Sequence, residues 1–331
     1  MITIKDVAKR AGVSISTVSR VINNSKPVSD DIRKRVEAVI KETKYVPNPV
    51  ARSLVMKSNR FIGVIVSDLS DSRMGIYLSG MEEIAVMYGY DLLLCNSYGE
   101  SEREEKYIKL LQSKQVAGLV MIRDKIDSDI IKLVKESGLE TVYIGKNSDK
   151  FDIMSAGFDE KGASYDMVEF LIKKGHRNIV LFTRNKDRRS DFISGYKEAL
   201  NNHDISFNEK NIILCKKGFS GGYEATLDII EKNNIPDAIF AYSDEVAIGI
   251  LAAFFDKGYN VPDDVSVAGY TDVSLAYAVR PALTTVHYPL YDIGAVSVRS
   301  LIKTLNGEEQ HSGSIKLPYS IIERQSVKGR V

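Results

Sequence analysis

Residues 3–23 read TIKDVAKRAGVSISTVSRVIN, and the spacing of their apolar residues specifies two short helices with a sharp break between them. Ile4, Val7, Ala8 and Ala11 recur at i, i+3, i+4 and i+7, which is one face of a helix. Thr3 stands at the N-cap with Asp6 three residues on, the spacing of a capping box. Gly12-Val13-Ser14 breaks the pattern, and Ser14 caps a second helix, ISTVSRVIN, whose Val18, Val21 and Ile22 turn inward. The loop NSKPV leads to Ser29 as a third cap. Asp30 and Asp31 follow in the first turn, where the helix dipole favours acids. The run IRKRVEAVIKET then supplies Ile32, Val36, Val39 and Ile40 to the same small core.

A helix, a tight glycine-containing turn and a second helix form a helix-turn-helix, and its second helix brings its N-terminal side chains to base edges in the major groove. With Val18, Val21 and Ile22 turned inward, Ile15, Ser16, Ser19 and Arg20 are left outward. Arg20 can pair bidentately with guanine, Ser16 can bond several bases, and Ile15 can touch a thymine methyl. Ser14, Thr17 and Tyr45 suit phosphate contacts, which set register. A small helical packing module would show the same periodicity, so charge has to separate the two. Residues 1–60 hold thirteen Lys/Arg against five Asp/Glu, a surplus of eight, whereas the remainder holds 32 against 39, a deficit of seven. A basic head on an acidic body points to a polyanion partner for the head alone.

After residue 60 short apolar runs alternate with amphipathic helical stretches: FIGVIVSDL, LLLCNS, AGLVMI, TVYIG, NIVLFT, NIILC, AIFAYS, VSVAGY and LTTVHY. Strand–helix alternation of this kind predicts an α/β fold with parallel sheets. Nine or ten strands exceed one doubly wound domain, so two similar lobes with a ligand crevice at the strands' carboxyl ends are expected. The chain has 331 residues, 44% of them hydrophobic, enough to bury a sizeable core. Two cysteines argue against a disulfide framework; Cys95 and Cys215 end apolar runs and read as buried thiols. The N-terminus is charged where a signal peptide is apolar, and no run approaches the ~18 apolar residues of a membrane span, so a soluble cytoplasmic protein is expected. His176, His203, His287 and His311 are scattered and read as turn or surface residues. There is no G-x-S-x-G, phosphate-binding P-loop or clustered metal-ligand set. Asp244 and Glu245 read as a helix N-cap and first-turn acid. An enzyme and a solute-binding protein are therefore disfavoured, and neither cofactor nor metal is expected.

The run TIKDVAKRAGVSISTVSRVINNSKPVSDDIRKRVEAVIKETKYVPNPVARSL resembles the LacI/GalR family of bacterial transcription regulators. GVIVSDL, KQVAGLV, GHRNIVLFT, SGYKEAL, SDEVAIGIL, VPDDVSVAGY and RPALTTV follow in the family's order, so the resemblance covers nearly the whole chain. It implies a homodimer on a pseudo-palindromic operator. It also implies a headpiece over residues 1–46, a hinge helix and linker over 47–60, and a two-lobed core over 61–331. Within that core the N-lobe spans about 61–157 and 289–317, and the C-lobe about 158–288 and 318–331. Thr3 and Asn48 join the DNA contacts by the same resemblance. The segment PNPVARSL, too short to hold helix alone, is implied to fold on specific DNA. There Ala51 would pack against its twin, Leu54 would wedge into the central base step, and Arg52 and Lys57 would contact phosphates.

The family's usual signal is a small sugar or nucleobase held by an acid after G-F/Y on a late strand and by an arginine. Thr271 occupies the first position here, with Asp272 beside it, and Phe192 the second. Both departures remove groups that a hydroxylated ligand needs. GMEEIAVMYGYDLLLCNS, KQVAGLV and YPLYDIGAVSVRSLIK resemble a subgroup that governs carbon catabolite genes in Gram-positive bacteria. That subgroup's co-repressor is the phosphocarrier HPr phosphorylated on serine. Its docking surface maps to Tyr291, Asp292, Val296, Arg299 and Lys303; the last four share a helix face, with Arg299 and Lys303 suited to phosphoserine. The alternative input is a sugar or sugar phosphate in the crevice. The candidate residues there are Asp68, Arg73, Arg123, Arg184, Arg188, Asp244, Thr271 and Asp272, with Arg189 beside them.

Overall fold

The computed structural model describes residues 2–23, 27–45, 60–126, 128–146, 153–184, 190–308 and 313–330. The chain divides into two units, residues 1–59 and 60–331. The hinge residues Asn48, Ala51, Arg52, Leu54 and Lys57, and with them Arg188, Arg189 and His311, lie outside the described residues.

The first unit is helical: α1 (Ile4–Ala11), α2 (Ile15–Asn23) and α3 (Asp30–Thr43). Its core gathers Val7, Ala8, Ala11, Val18, Val21 and Val36, with Ile4, Ile22, Ile32, Val39, Ile40 and Tyr45 packed against them. Ser29 holds the N-cap position of α3, but its hydroxyl makes no capping bond.

The second unit contains two six-stranded sheets. The first joins β1 (Phe61–Val66), β2 (Asp91–Asn96), β3 (Gly118–Lys125), β4 (Thr141–Lys146), β5 (Met154–Phe158) and β11 (Ser314–Leu317). The second joins β6 (Ile179–Thr183), β7 (Ile212–Leu214), β8 (Ala238–Ala241), β9 (Ser266–Thr271), β10 (Thr284–His287) and β12 (Ser320–Ile322). Their orders, β11-β5-β4-β3-β1-β2 and β12-β10-β9-β8-β6-β7, are the same topology used twice. All pairings are parallel except β10 with β12. Central strands such as FIGVIV and IVLFT are buried along nearly their whole length, as a parallel sheet covered on both faces requires. The helices α4 (Ser72–Met87), α5 (Ser101–Ser113), α6 (Ser128–Ser137), α7 (Glu160–Lys173), α8 (Asp191–Asn202), α9 (Gly218–Glu231), α10 (Asp244–Asp256), α11 (Ser274–Ala278) and α12 (Leu290–Leu305) complete the unit. No helix among the described residues is long and apolar enough to cross a membrane.

Among the described residues twelve strands stand where nine or ten are expected from the apolar runs. The additional ones are β5, β11 and β12, whose MSAGF, SIKL and SII carry little apolar weight. They matter because the chain passes between the sheets three times: after Phe158, between His287 and Leu290, and between Leu317 and Ser320. At these passages the ring of Phe158 stacks on Tyr288 at 3.9 Å and 15°. Tyr288 lies 5.6 Å from Tyr270, and Tyr270 meets Phe192 edge-on at 5.2 Å. One apolar cluster consequently runs through both lobes.

Two expectations are corrected. Cys95 and Cys215 are half-buried rather than core thiols, because each lies at the end of an edge strand; burial still raises both thiols, Cys215 to about 12. His176 is fully buried instead of lying in a surface turn. Its Nε2 sits 3.0 Å from the Lys328 carbonyl oxygen, which ties the C-terminal segment to the second lobe.

Helices α4 and α12 meet backbone to backbone. A Cβ at Gly294 would fall on the Tyr77 carbonyl oxygen, and one at Gly80 on that of Tyr291. Alanine in place of a helix-interior glycine normally stabilises by roughly 0.5–1 kcal/mol. Here the sign reverses: Gly294→Ala is expected to destabilise by about 1–3 kcal/mol. Chemical denaturation checks this, and a midpoint raised by the substitution would contradict the packing described.

Candidate functional site

The headpiece presents its candidate edge through local bonds. The Thr3 amide and hydroxyl both donate to Asp6 Oδ2, at 2.9 and 2.7 Å, and these bonds hold the Asp6 carboxyl below its usual range. Gly12 closes α1 at φ +64°, a left-handed conformation that suits glycine. Ser14 Oγ accepts from the Thr17 amide at 3.1 Å and lies 2.7 and 2.8 Å from the Ser16 and Thr17 hydroxyls. With Val18 and Val21 buried, Ile15, Ser16 and Arg20 stand exposed, while Thr17, Ser19 and Tyr45 are half-buried. The outward side of α2 therefore carries an apolar contact and a hydroxyl cluster in its first turn and a guanidinium about one turn farther on.

On α12, Ile293, Ser297, Val298, Leu301 and Ile302 face inward. Asp292 and Arg299 are exposed, Val296 and Lys303 half-buried. Tyr291 lies at the margin, its hydroxyl donating to Glu83 of α4. Asp292, Val296, Arg299 and Lys303, four of the five residues expected to form a docking face, thus fall on one accessible helix face, with Tyr291 beside it.

The crevice between the lobes is different from the expectation. Arg73 forms a bidentate pair with Asp71, Nε to Oδ1 at 2.9 Å and a terminal nitrogen to Oδ2 at 2.7 Å. Burial raises the Asp71 carboxyl, but that guanidinium outweighs it and leaves the group below its usual range. Arg123 is bound by the fully buried Glu104 of α5 at 3.0 Å, which turns it away from the crevice into its own lobe. Arg184 is exposed. Two of the guanidiniums proposed as an anion site are thus already neutralised.

The acidic and hydroxyl candidates are also engaged. Asp244, fully buried, accepts from Thr271 Oγ1 at 3.0 Å, the Val273 amide at 2.8 Å and Thr285 Oγ1 at 2.6 Å. Desolvation nevertheless raises its carboxyl above the ordinary value. It occupies the first turn of α10, and Ser243 is the cap, accepting from the Val246 amide. Asp272 pairs with Arg324 at 2.6 Å and with His287 at 3.0 Å. Thr271 and Asp272 hold positive φ of 134° and 58°, which their bonds to Asp244, Arg324 and His287 accompany. Asp244, Thr271 and Asp272 therefore form an internal brace of the second lobe.

Between the lobes the rings of Phe158, Tyr288, Tyr270 and Phe192 pack together, the last three buried. A contact that the sequence reading missed also crosses there: Lys217 Nζ lies 2.6 Å from Asp68 Oδ2 and 3.7 Å from Asp71 Oδ2. Lys217 bears one signal that a sequence reader can use: it takes an N-cap position, where Ser, Thr, Asp or Asn is favoured.

Comparison with known proteins places these features in a family. Residues 3–48 match the model for bacterial regulatory proteins of the lacI family, and residues 168–327 match a periplasmic binding protein-like domain. The HTH-type transcriptional regulator RegA of Clostridium saccharobutylicum is 35% identical over 98% of both chains. Catabolite control protein A of Priestia megaterium is 34% identical over 99% of both. Among solved structures, the lac repressor dimer bound to operator and an anti-inducer superposes with a TM-score of 0.91 at 26% identity over 99% of both chains. The regulator CcpA of Lactococcus lactis gives 0.74 at 29% identity, covering 81% of this chain and 99% of that one.

The Asp244 brace generates a prediction. Asp244→Ala leaves Thr271, Thr285 and the Val273 amide without their shared acceptor, and is expected to cost about 3 kcal/mol. Thermal unfolding followed by circular dichroism measures it; a loss within experimental scatter would mean the brace carries no load.

Proposed function

The chain belongs to the LacI family of bacterial regulatory proteins, and on that premise we propose a cytoplasmic homodimer that represses carbon catabolite genes with serine-phosphorylated HPr as co-repressor. The observation that carries the DNA half of this reading is the exposed side of α2, with Ile15, Ser16 and Arg20 outward on a basic headpiece. Each headpiece takes one half-site in the major groove. Arg20 reads guanine, Ile15 and Ser16 make the neighbouring base contacts, and Thr3, Ser14, Thr17, Ser19 and Tyr45 fix register or support it. Asn48, Ala51, Arg52, Leu54 and Lys57 are proposed as the contacts of the hinge and linker, Ala51 against its twin, Arg52 and Lys57 on phosphates and Leu54 as the minor-groove wedge.

Dimerisation is supported by apolar side chains that one chain leaves in water. Leu94 and Tyr98 at one sheet edge, and Leu214, Phe219, Phe255 and Tyr277 on the other lobe, are all exposed, Phe255 by 81%. Apolar surface on this scale marks an interface. The co-repressor half rests on α12, where Arg299 and Lys303 stand two turns beyond Asp292 and Val296 on one accessible face. Two cations one turn apart suit a phosphoserine dianion. A sugar or sugar phosphate is the rival input; the pairing of Arg73 with Asp71 and of Arg123 with Glu104 weighs against it.

Arg20→Ala is expected to cost about 1–3 kcal/mol of affinity for a pseudo-palindromic duplex selected from a randomised pool, and to relax one base position. Fluorescence anisotropy on matched and single-mismatch duplexes decides it; unchanged affinity and specificity would reject the base-reading role. The same titration repeated with serine-phosphorylated HPr, unphosphorylated HPr, sugars and sugar phosphates tests the input. Only the phosphoprotein is expected to tighten binding, and Arg299→Ala to remove about 1.5–3 kcal/mol of its affinity. A response to a free sugar alone would replace the co-repressor reading with the cleft-ligand one.

A further inference from the structure

We infer that Lys217 is a latch: it reaches from the second lobe to Asp68 and Asp71 of the first and draws the cleft closed, so that closure is intrinsic to the chain and requires no cleft ligand. This goes beyond the operator and co-repressor reading, because it concerns what sets the angle between the lobes.

Three observations carry it. The first is the span of the contact. Asp68 follows β1 of the first sheet and Lys217 follows β7 of the second, and their side chains meet at 2.6 Å. Asp71 is within 3.7 Å of the same ammonium.

The second is the place Lys217 occupies. It is the N-cap residue of α9 and makes no capping bond there. A cation at a helix N-terminus opposes the helix dipole, and lysine leaves the first-turn amides uncapped. A residue that breaks two local rules at once needs a compensating partner elsewhere, and that partner lies across the cleft. The other side has the opposite arrangement: Asp71 caps α4, accepting from the Arg73 amide. Two helix N-termini, each carrying roughly half a positive charge, therefore converge at the cleft mouth, with two carboxylates between them.

The third is that the acceptors are preset. Ser70 donates its amide and hydroxyl to Asp68 Oδ1, at 2.9 and 2.7 Å, and leaves Oδ2 for Lys217. Arg73 fixes Asp71 in the same way. The ammonium meets carboxylates that are already ordered, so less side-chain entropy is lost on closing than for two free side chains. The Lys217 bond, with those from Ser70, holds the Asp68 carboxyl at about 2, so it stays charged across the physiological range. Lys217 and Asp68 keep about a third of their side-chain surface in solvent, and the latch is accordingly open to salt screening.

The test uses the full-length chain with Cys95→Ser and Cys215→Ser, spin-labelled at cysteines placed at the exposed positions Lys106 of α5 and Asp228 of α9. Dipolar spectroscopy then reads the distance between the lobes. At low salt one short distance is expected. Lys217→Ala should move the closed-to-open ratio toward open by about two- to fivefold, the range for a pair this exposed. One-molar NaCl should do the same to the parent and nothing further to the variant. The charge exchange Asp68→Lys with Lys217→Asp should restore the short distance. If Lys217→Ala and high salt both leave the distance distribution unchanged, the latch is refuted. If circular dichroism shows Lys217→Ala to be misfolded, Asp68→Asn decides between the same two outcomes.

Discussion

Three passages of the chain between the lobes constrain the whole core. Each sheet is completed by a strand that arrives last, β11 beside β5 and β12 beside β10. Neither lobe is thus a contiguous piece of sequence: the first sheet is complete only after the second crossing and the second sheet only after the third. The crossings also bring rings together, because Phe158 at the first stacks on Tyr288 at the second. A stack of rings can hold two lobes together, but stacking alone is weakly directional. Charged side chains add a directional contact between the lobes where Lys217 meets Asp68 and Asp71.

The charged residues of the core follow one rule. A carboxylate removed from water needs donors, and each buried acid here has recruited the nearest ones. Glu104 takes Arg123, and Asp244 takes two threonine hydroxyls and an amide. Arg123, Asp244 and Thr271 among them look like ligand contacts when read along the chain, since they fall at or near the carboxyl ends of strands. A residue at the end of a strand can turn toward the crevice or toward its own lobe, and spacing does not say which. Arg123 turns inward because a buried glutamate lies there, and Arg73 turns back on the carboxylate two residues before it.

The headpiece was legible because its determinants are local. Apolar spacing of three and four residues, a capping acid three residues on and one glycine at a positive φ are all written within 40 residues of sequence, and Val7, Ala8, Val18 and Val36 pack as that spacing requires. The doubling of the α/β core was legible from strand–helix alternation as well. The late and weakly apolar strands were not, since MSAGF and SII have no apolar run, and the strands that complete the sheets pair only after the chain has crossed between the lobes. Lys217 escaped notice for a related reason: its partners are 149 and 146 positions away in sequence. Thr271 and Phe192 were visible as departures from a pattern. What replaces the missing groups, an internal brace and a packed set of rings, could be seen only once the lobes were assembled.

The glycine contact between α4 and α12 has a mechanical consequence. With backbone against backbone at Gly80 and Gly294, there is no layer of side chains to yield between the helices, so α12 can neither roll nor slide on its lobe. Its first turn begins two residues after Tyr288, itself part of the ring stack at the crossing. The outer face of α12 is therefore joined to the ring stack at the crossing by stiff backbone packing and two residues of chain, with no compliant layer in between.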